Sequence, residues 1–258
     1  MIGFFIKKAF FDGWDNLIGM VVLNLGFLLI LLAGIGSLTL LSEIAILPVV
    51  LLVLTAGLFA FFTAGSAHLT WAWARYERPG WDGFVRGIRI SWRHALLFWL
   101  LFVLDFALIL FVIPFYLAYG TIVGTVLSVL LFWLFIALSL ALLYYWPLFY
   151  AMQGDRPTKT LRKSFVIVAD NLFFTLFFAL HQIITFAISL VLAGLAPGVG
   201  GLLLGQSVAL KLLMYKYDWL EENPEGDRKH VPWDELLYEE RESVGHRSLK
   251  GMIFPWKD

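Results

Sequence analysis

From Leu17 to Gly36 the chain carries no charge, and Asn24 is its one strongly polar side chain. Apolar stretches of similar length recur at approximately 46–73, 95–117, 121–151, 172–194 and 198–218, making six. A helix rises about 1.5 Å per residue, so roughly 20 apolar residues cross about 30 Å of hydrocarbon. The pattern therefore predicts an all-α, polytopic membrane protein with six transmembrane helices in three hairpins.

Ahead of alternate spans the spacing changes to that of amphipathic helices. Ile6, Ala9, Phe10, Gly13 and Trp14 share one face, with Lys8, Asp12 and Asp15 on another. Trp81, Phe84, Val85, Ile88 and Trp92 repeat the spacing beside a polar stripe of Asp82, Arg86, Arg89 and Arg93. A third, less contrasted stretch places Leu161, Phe165, Val168 and Leu172 opposite Lys159, Arg162, Lys163 and Asp170. Asp15-Asn16-Leu17 and Asp170-Asn171-Leu172 lead into the first and fifth spans, and both spans close on Leu-Ala-Gly. The chain reads as three parallel repeats at approximately 3–73, 81–151 and 157–218 within a membrane domain of residues 1–218, followed by a tail, 219–258. Each repeat is a basic, aromatic helix at the membrane surface followed by a hairpin. Trp14, Trp81, Arg86, Arg89, Trp92, Arg93, Arg162 and Lys163 are its expected anchors among headgroups.

Composition agrees with this picture, since 60% hydrophobic and 15% charged residues exceed what a water-soluble fold hides. The formal charge is zero, yet all 19 Lys and Arg fall at 7–8, 75–93, 156–163, 211–216 and beyond 223. The turn around 37–45 carries only Glu43, and 118–120 and 195–197 carry no charge. The positive-inside bias then places both termini in the cytoplasm. Lys7, Lys8 and the small residues near Ala33–Gly36 also fit a cleaved leader, but the long apolar run and the even number of spans favour a retained helix.

The first span of each repeat has polar residues near its midpoint: Asn24, Asp105, and His181 with Gln182. An ionisable group at the bilayer centre costs about 2.5–3.5 kcal/mol, so Asp105 is expected to face the bundle and find a partner, with His181 the obvious candidate. Such a pair would share a proton or bind a cation or polar solute. The four residues serve equally well as hydrogen-bonding glue between helices. Lys211, near the end of the last span, reads as a snorkelling anchor, and His68 and Gln206 as packing groups. Ala56, Ala60 and Ala64, and Gly201 with Gly205, allow close helix approach, while Pro114 and Pro147 predict kinks.

The absence of cysteine excludes disulfides and thiolate chemistry. HExxH, GxxxxGK[ST] and GxSxG motifs are absent, so the sequence names no catalytic, cofactor or metal residues. The tail is more acidic than basic and gives no support to nucleic acid as a partner, so none is expected. Its end, Gly-Met-Ile-Phe-Pro-Trp-Lys-Asp, predicts docking of Phe254 and Trp256 on the membrane surface, in a cytoplasmic groove or on a partner protein.

The run Tyr145-Trp146-Pro147-Leu148, followed by Arg156, Lys159, Leu161-Arg162-Lys163-Ser164-Phe165 and Asp170-Asn171-Leu172, resembles the YesL-like family of bacterial integral membrane proteins. The likeness extends over approximately 1–216; the long acidic tail and very aromatic spans depart from it. It implies a bacterial inner-membrane protein connected with carbohydrate uptake or use, and supplies no catalytic residues. Three readings follow: a non-enzymatic membrane protein associated with transporter subunits or another membrane protein, a small-solute carrier built on the midplane residues, and a membrane enzyme acting on a lipid-linked sugar.

Overall fold

The computed structural model describes residues 1–39, 46–228, 230–245 and 247. Glu43 and the expected docking of Phe254 and Trp256 lie outside them. Among the described residues every regular element is helical: α1 (Ile2–Asp15), α2 (Leu17–Thr39), α3 (Leu47–Ala74), α4 (Trp81–Ala107), a π-helical turn (Leu108–Val112), α5 (Ile113–Ala118), α6 (Ile122–Ala151), α7 (Pro157–Asp170), α8 (Leu172–Val191), α9 (Gly198–Glu222), α10 (Trp233–Leu236) and α11 (Tyr238–Val244). Six segments are long and apolar enough to cross a membrane: Leu17–Leu38, Leu47–Ala74, Trp81–Ala118, Ile122–Ala151, Leu172–Val191 and Gly198–Glu222. They pair as α2 with α3, α4–α5 with α6, and α8 with α9. The protein is an all-α, multi-pass membrane protein in contact with the bilayer.

The helix junctions follow the local sequence. Asn16 and Asn171 each interrupt the helix for one residue, and each donates its side-chain amide to the carbonyl four residues back, Asp12 O at 2.8 Å and Ile167 O at 3.1 Å. This bond gives the backbone an alternative to continuing the helix. The corresponding stretch Trp92-Arg93-His94-Ala95 holds no such residue, so the amphipathic segment runs unbroken into its span as α4. Further along, Pro114 has no N–H for the Leu110 carbonyl; the Ile113 N–H reaches back to Leu108 O, and the helix widens into a π turn before resuming. Pro147 lies inside an uninterrupted α6.

The core forms around α9, the least apolar span. In its most apolar stretch 61% is buried by other helices, against 17–33% in the other five spans. Small residues make this burial possible: Gly200 lies against Met20 and Asn24 of α2, and Gly205 against Gln182 and Phe178 of α8. The α3–α4 crossing is equally close. A Cβ on Gly87 would stand 3.3 Å from Gly65 Cα, and one on Gly65 would stand 2.6 Å from the Phe84 ring. Tyr150 ties α6 into this crossing by donating to Ala64 O at 2.6 Å.

In α1 the Ile6, Phe10 and Trp14 stripe turns outward, as lipid outside the bundle favours, while Phe5 and Phe11 are buried on the side of Lys8 and Asp12, themselves buried. The turn of the third hairpin lies beside Asn24 and Leu28, the middle of α2, and stops short of the far end of that helix.

Candidate functional site

Of the four midplane candidates, Asn24 and Gln182 both bond the third hairpin, at Gly200 and Leu202 near the start of α9, while His181 and Asp105 have partners elsewhere. Asn24 donates to Leu195 O at 2.9 Å and Pro197 O at 2.8 Å and accepts from the Gly200 N–H at 2.7 Å, so it serves the backbone of the third hairpin turn. Gln182 donates to Leu202 O at 3.0 Å within its own hairpin. The His181 ring stands edge-on to Phe5, with centroids 4.9 Å apart. Asp105 accepts a 2.8 Å hydrogen bond from Ser139, and its other oxygen is shielded without a hydrogen-bond partner. The expected Asp105–His181 pair is therefore not formed. Helix α4 packs on α3, α6 and α7, whereas α8 packs on α6, α7 and α9.

The expected surface anchors are largely outward. Trp14, Trp81 and Trp92 are exposed, as are Arg86, Arg89, Arg93 and Arg162. Trp81 stacks on Phe84 at 4.7 Å, and the Arg93 guanidinium lies 5.1 Å from the Trp92 ring. Lys163 is half-buried and pairs with Asp155 at 2.5 Å.

A buried ionic cluster occupies the basic end of the bundle, and it was not foreseen from sequence. Lys8 of α1 pairs with Asp12 at 2.9 Å and with Glu240 of α11 at 3.1 Å, and donates to Tyr76 Oη at 2.8 Å. Tyr76 and Tyr215 donate to the two Glu240 oxygens at 2.9 and 2.8 Å. Lys211 of α9 also pairs with Glu240, and donates to Ala74 O, a terminal carbonyl of α3, at 3.0 Å. Lys211 thus binds the tail and does not snorkel to the surface. Tyr76, at φ 64°, holds a left-handed conformation unusual for its type, and both ammonium groups lie over its ring, at 4.0 and 4.9 Å.

Burial alone would raise the Glu240 carboxyl, but the hydrogen bond from Lys211 and the charge of Lys8 outweigh it and hold the pKa at about 2. At Asp12 burial prevails over Lys8 and lifts the pKa to about 6. Two clues to the cluster were visible in the sequence, the i, i+4 spacing of Lys8 and Asp12 and a lysine within the last span. The position of Glu240 was not, because it depends on the tail helix being docked, with Leu237 and Val244 buried on either side of it.

The junction aspartates also hold the tail. Asp15 pairs with Arg247 at 2.8 Å, and Asp170 with Arg228 at 3.3 Å and Lys216 at 3.2 Å. Beside Asp15 opens a groove of about 470 Å³ lined by Trp14, Leu17, Ile18, Trp73 and Arg78, adjoining a cavity of about 150 Å³ walled by Asp12, Glu77 and residues of the same groove. Among the described residues no three His, Asp or Glu side chains are grouped to hold a metal ion. The chain matches no protein-family model, no curated protein and no solved structure.

Proposed function

We propose that this protein is a non-catalytic membrane component that assembles with a solute-uptake system, for carbohydrate in keeping with the YesL-like resemblance, in the inner membrane of a bacterium. The confinement of Lys and Arg to one end of the spans supports an orientation with both termini in the cytoplasm. The observation that carries the proposal is the bare outer half of the second hairpin. Among the described residues helix α5 packs chiefly on α6 and the π turn, and the large side chains there face outward, with Phe111 70%, Ile122 85% and Trp133 64% exposed. At the root of this arm sits Asp105 with one unsatisfied carboxylate oxygen. An acid at that depth with a spare acceptor fits a partner helix that brings a hydrogen-bond donor or a cation.

The carrier reading needs Asn24, Asp105, His181 and Gln182 to converge; Asn24 and Gln182 both bond α9, but Asp105 bonds Ser139 of α6 and His181 stands against Phe5, which gives the reading no support.

Affinity purification of the full chain from native membranes, beside Asp105→Leu, tests the assembly. Transporter subunits recovered with the wild type and lost with a normally folded Asp105→Leu are expected. Solute uptake by vesicles holding this protein alone would overturn the reading.

A further inference from the structure

The groove at the start of α2 combines features that the proposed assembly does not use. Its floor and lips are apolar and aromatic: Trp73 is buried, Trp14 is 54% exposed and Ile18 is 83% exposed, so the groove opens along the lipid-facing side of a span. Its other end lies among polar groups at the junction of α1 with α2 and in the loop after α3, the level at which hydrocarbon gives way to headgroups. Arg78 is exposed there and makes no ion pair with another described residue, whereas its neighbour Arg75 pairs with Glu77 at 3.0 Å. Next to Arg78 the smaller cavity is walled by Asp12, Asp15 and Glu77. Asp12 is held by Lys8, Asp15 by Arg247 and Glu77 by Arg75; of these pairs the Glu77–Arg75 one is the most open, with side chains 56% and 50% exposed, so Glu77 is the carboxylate on the rim that a competing cation reaches.

From this arrangement we infer that the groove is a binding site for a phospholipid whose headgroup carries both a phosphate and a primary ammonium. The phosphate meets the Arg78 guanidinium, which suits phosphate oxygens by its planar fork of donors. The ammonium points into the acidic cavity and competes with Arg75 for Glu77, and an acyl chain follows Leu17 and Ile18 beside the two indoles. A purely anionic headgroup would satisfy Arg78 but bring negative charge towards the carboxylates. A quaternary ammonium has no N–H to donate to them. The charge pattern thus favours the ethanolamine headgroup over both glycerol and choline headgroups.

Native mass spectrometry of the full chain, released from nanodiscs of equal parts phosphatidylethanolamine, phosphatidylglycerol and phosphatidylcholine, tests this directly. Retention of phosphatidylethanolamine above the other two is expected. Arg78→Gln should reduce it about tenfold, the scale of one lost charge-assisted hydrogen bond. Glu77→Gln should erase the preference for phosphatidylethanolamine over phosphatidylcholine while lipid is still retained. Soluble phosphoethanolamine added in excess should not displace the lipid; displacement would show that a free headgroup is the ligand. Equal retention of the three lipids by the wild type, or retention unchanged in Arg78→Gln, overturns the inference.

Discussion

The ammonium of Lys8 and the carboxylate of Glu240, from opposite ends of the chain, lie 3.1 Å apart with side chains only 0% and 6% exposed. Taking one partner from a buried pair leaves an uncompensated charge, at a cost of about 3–5 kcal/mol. Glu240→Gln should lose stability on that scale in tryptophan-monitored unfolding in detergent, and Lys8→Met in the same chain should return part of it. A loss no larger than that of an exposed ion pair, under about 1 kcal/mol, would mean that water reaches the cluster.

The same cluster sets a dependence on pH. Asp12 titrates at about 6 in the folded chain, above its ordinary 3.8, so its contribution is complete below about 4 and is lost as pH rises to about 6. Glu240 titrates at about 2, below its ordinary 4.5, so its contribution is present above 4.5 and lost as pH falls towards 2. Unfolding midpoints measured across this range should peak near pH 4–5, and Asp12→Asn should flatten the decline between pH 4 and 6. A decline that persists in Asp12→Asn would assign it to another group.

The spans were legible because the length of an apolar run is nearly sufficient to define one. The shared Asp-Asn-Leu stretches marked the repeat, but not that Asn16 and Asn171 interrupt the helix, although the amide that ends it lies in the interrupted segment itself. The Lys8–Glu240 cluster was not. The spacing of Ile6, Phe10 and Trp14 reveals two faces of α1, but which of them turns inward depends on the surroundings. Beside lipid the Ile6, Phe10 and Trp14 stripe goes out, leaving Lys8 and Asp12 inside with Phe5 and Phe11, where a carboxylate from a distant short helix completes the set. Asp105 and His181 were paired by expected depth alone, and depth does not specify which helices are neighbours.

The two junction asparagines offer a comparison within one molecule. Asn16 makes its bond to Asp12 O, whereas Asn171 bonds Ile167 O, donates to Tyr217 Oη at 2.6 Å and accepts from Lys216 at 2.7 Å. Each lost hydrogen bond is worth about 1 kcal/mol, and more where a charged group is left unmatched. Asn16→Ala should therefore cost about 1 kcal/mol and Asn171→Ala about 3 kcal/mol in the same unfolding assay. Equal losses would show that helix interruption alone accounts for both residues.

Asn24 is the remaining test of why a polar side chain sits in mid-span. The turn joining α8 to α9 brings backbone groups beside the middle of α2, where apolar surroundings leave them no water to bond. One primary amide matches the need: its NH2 serves two carbonyls and its oxygen one N–H. Gly198, at φ 59°, completes the fit, because a Cβ there would collide with the Asn24 side chain. Asn24→Leu should cost about 3 kcal/mol or more, through three backbone groups left unpaired. Asn24→Asp keeps the shape but loses the donors and sets a carboxylate against two carbonyls, so it should be destabilised as well. A near-native unfolding midpoint for Asn24→Asp would show that shape, and not donor placement, is what the turn requires.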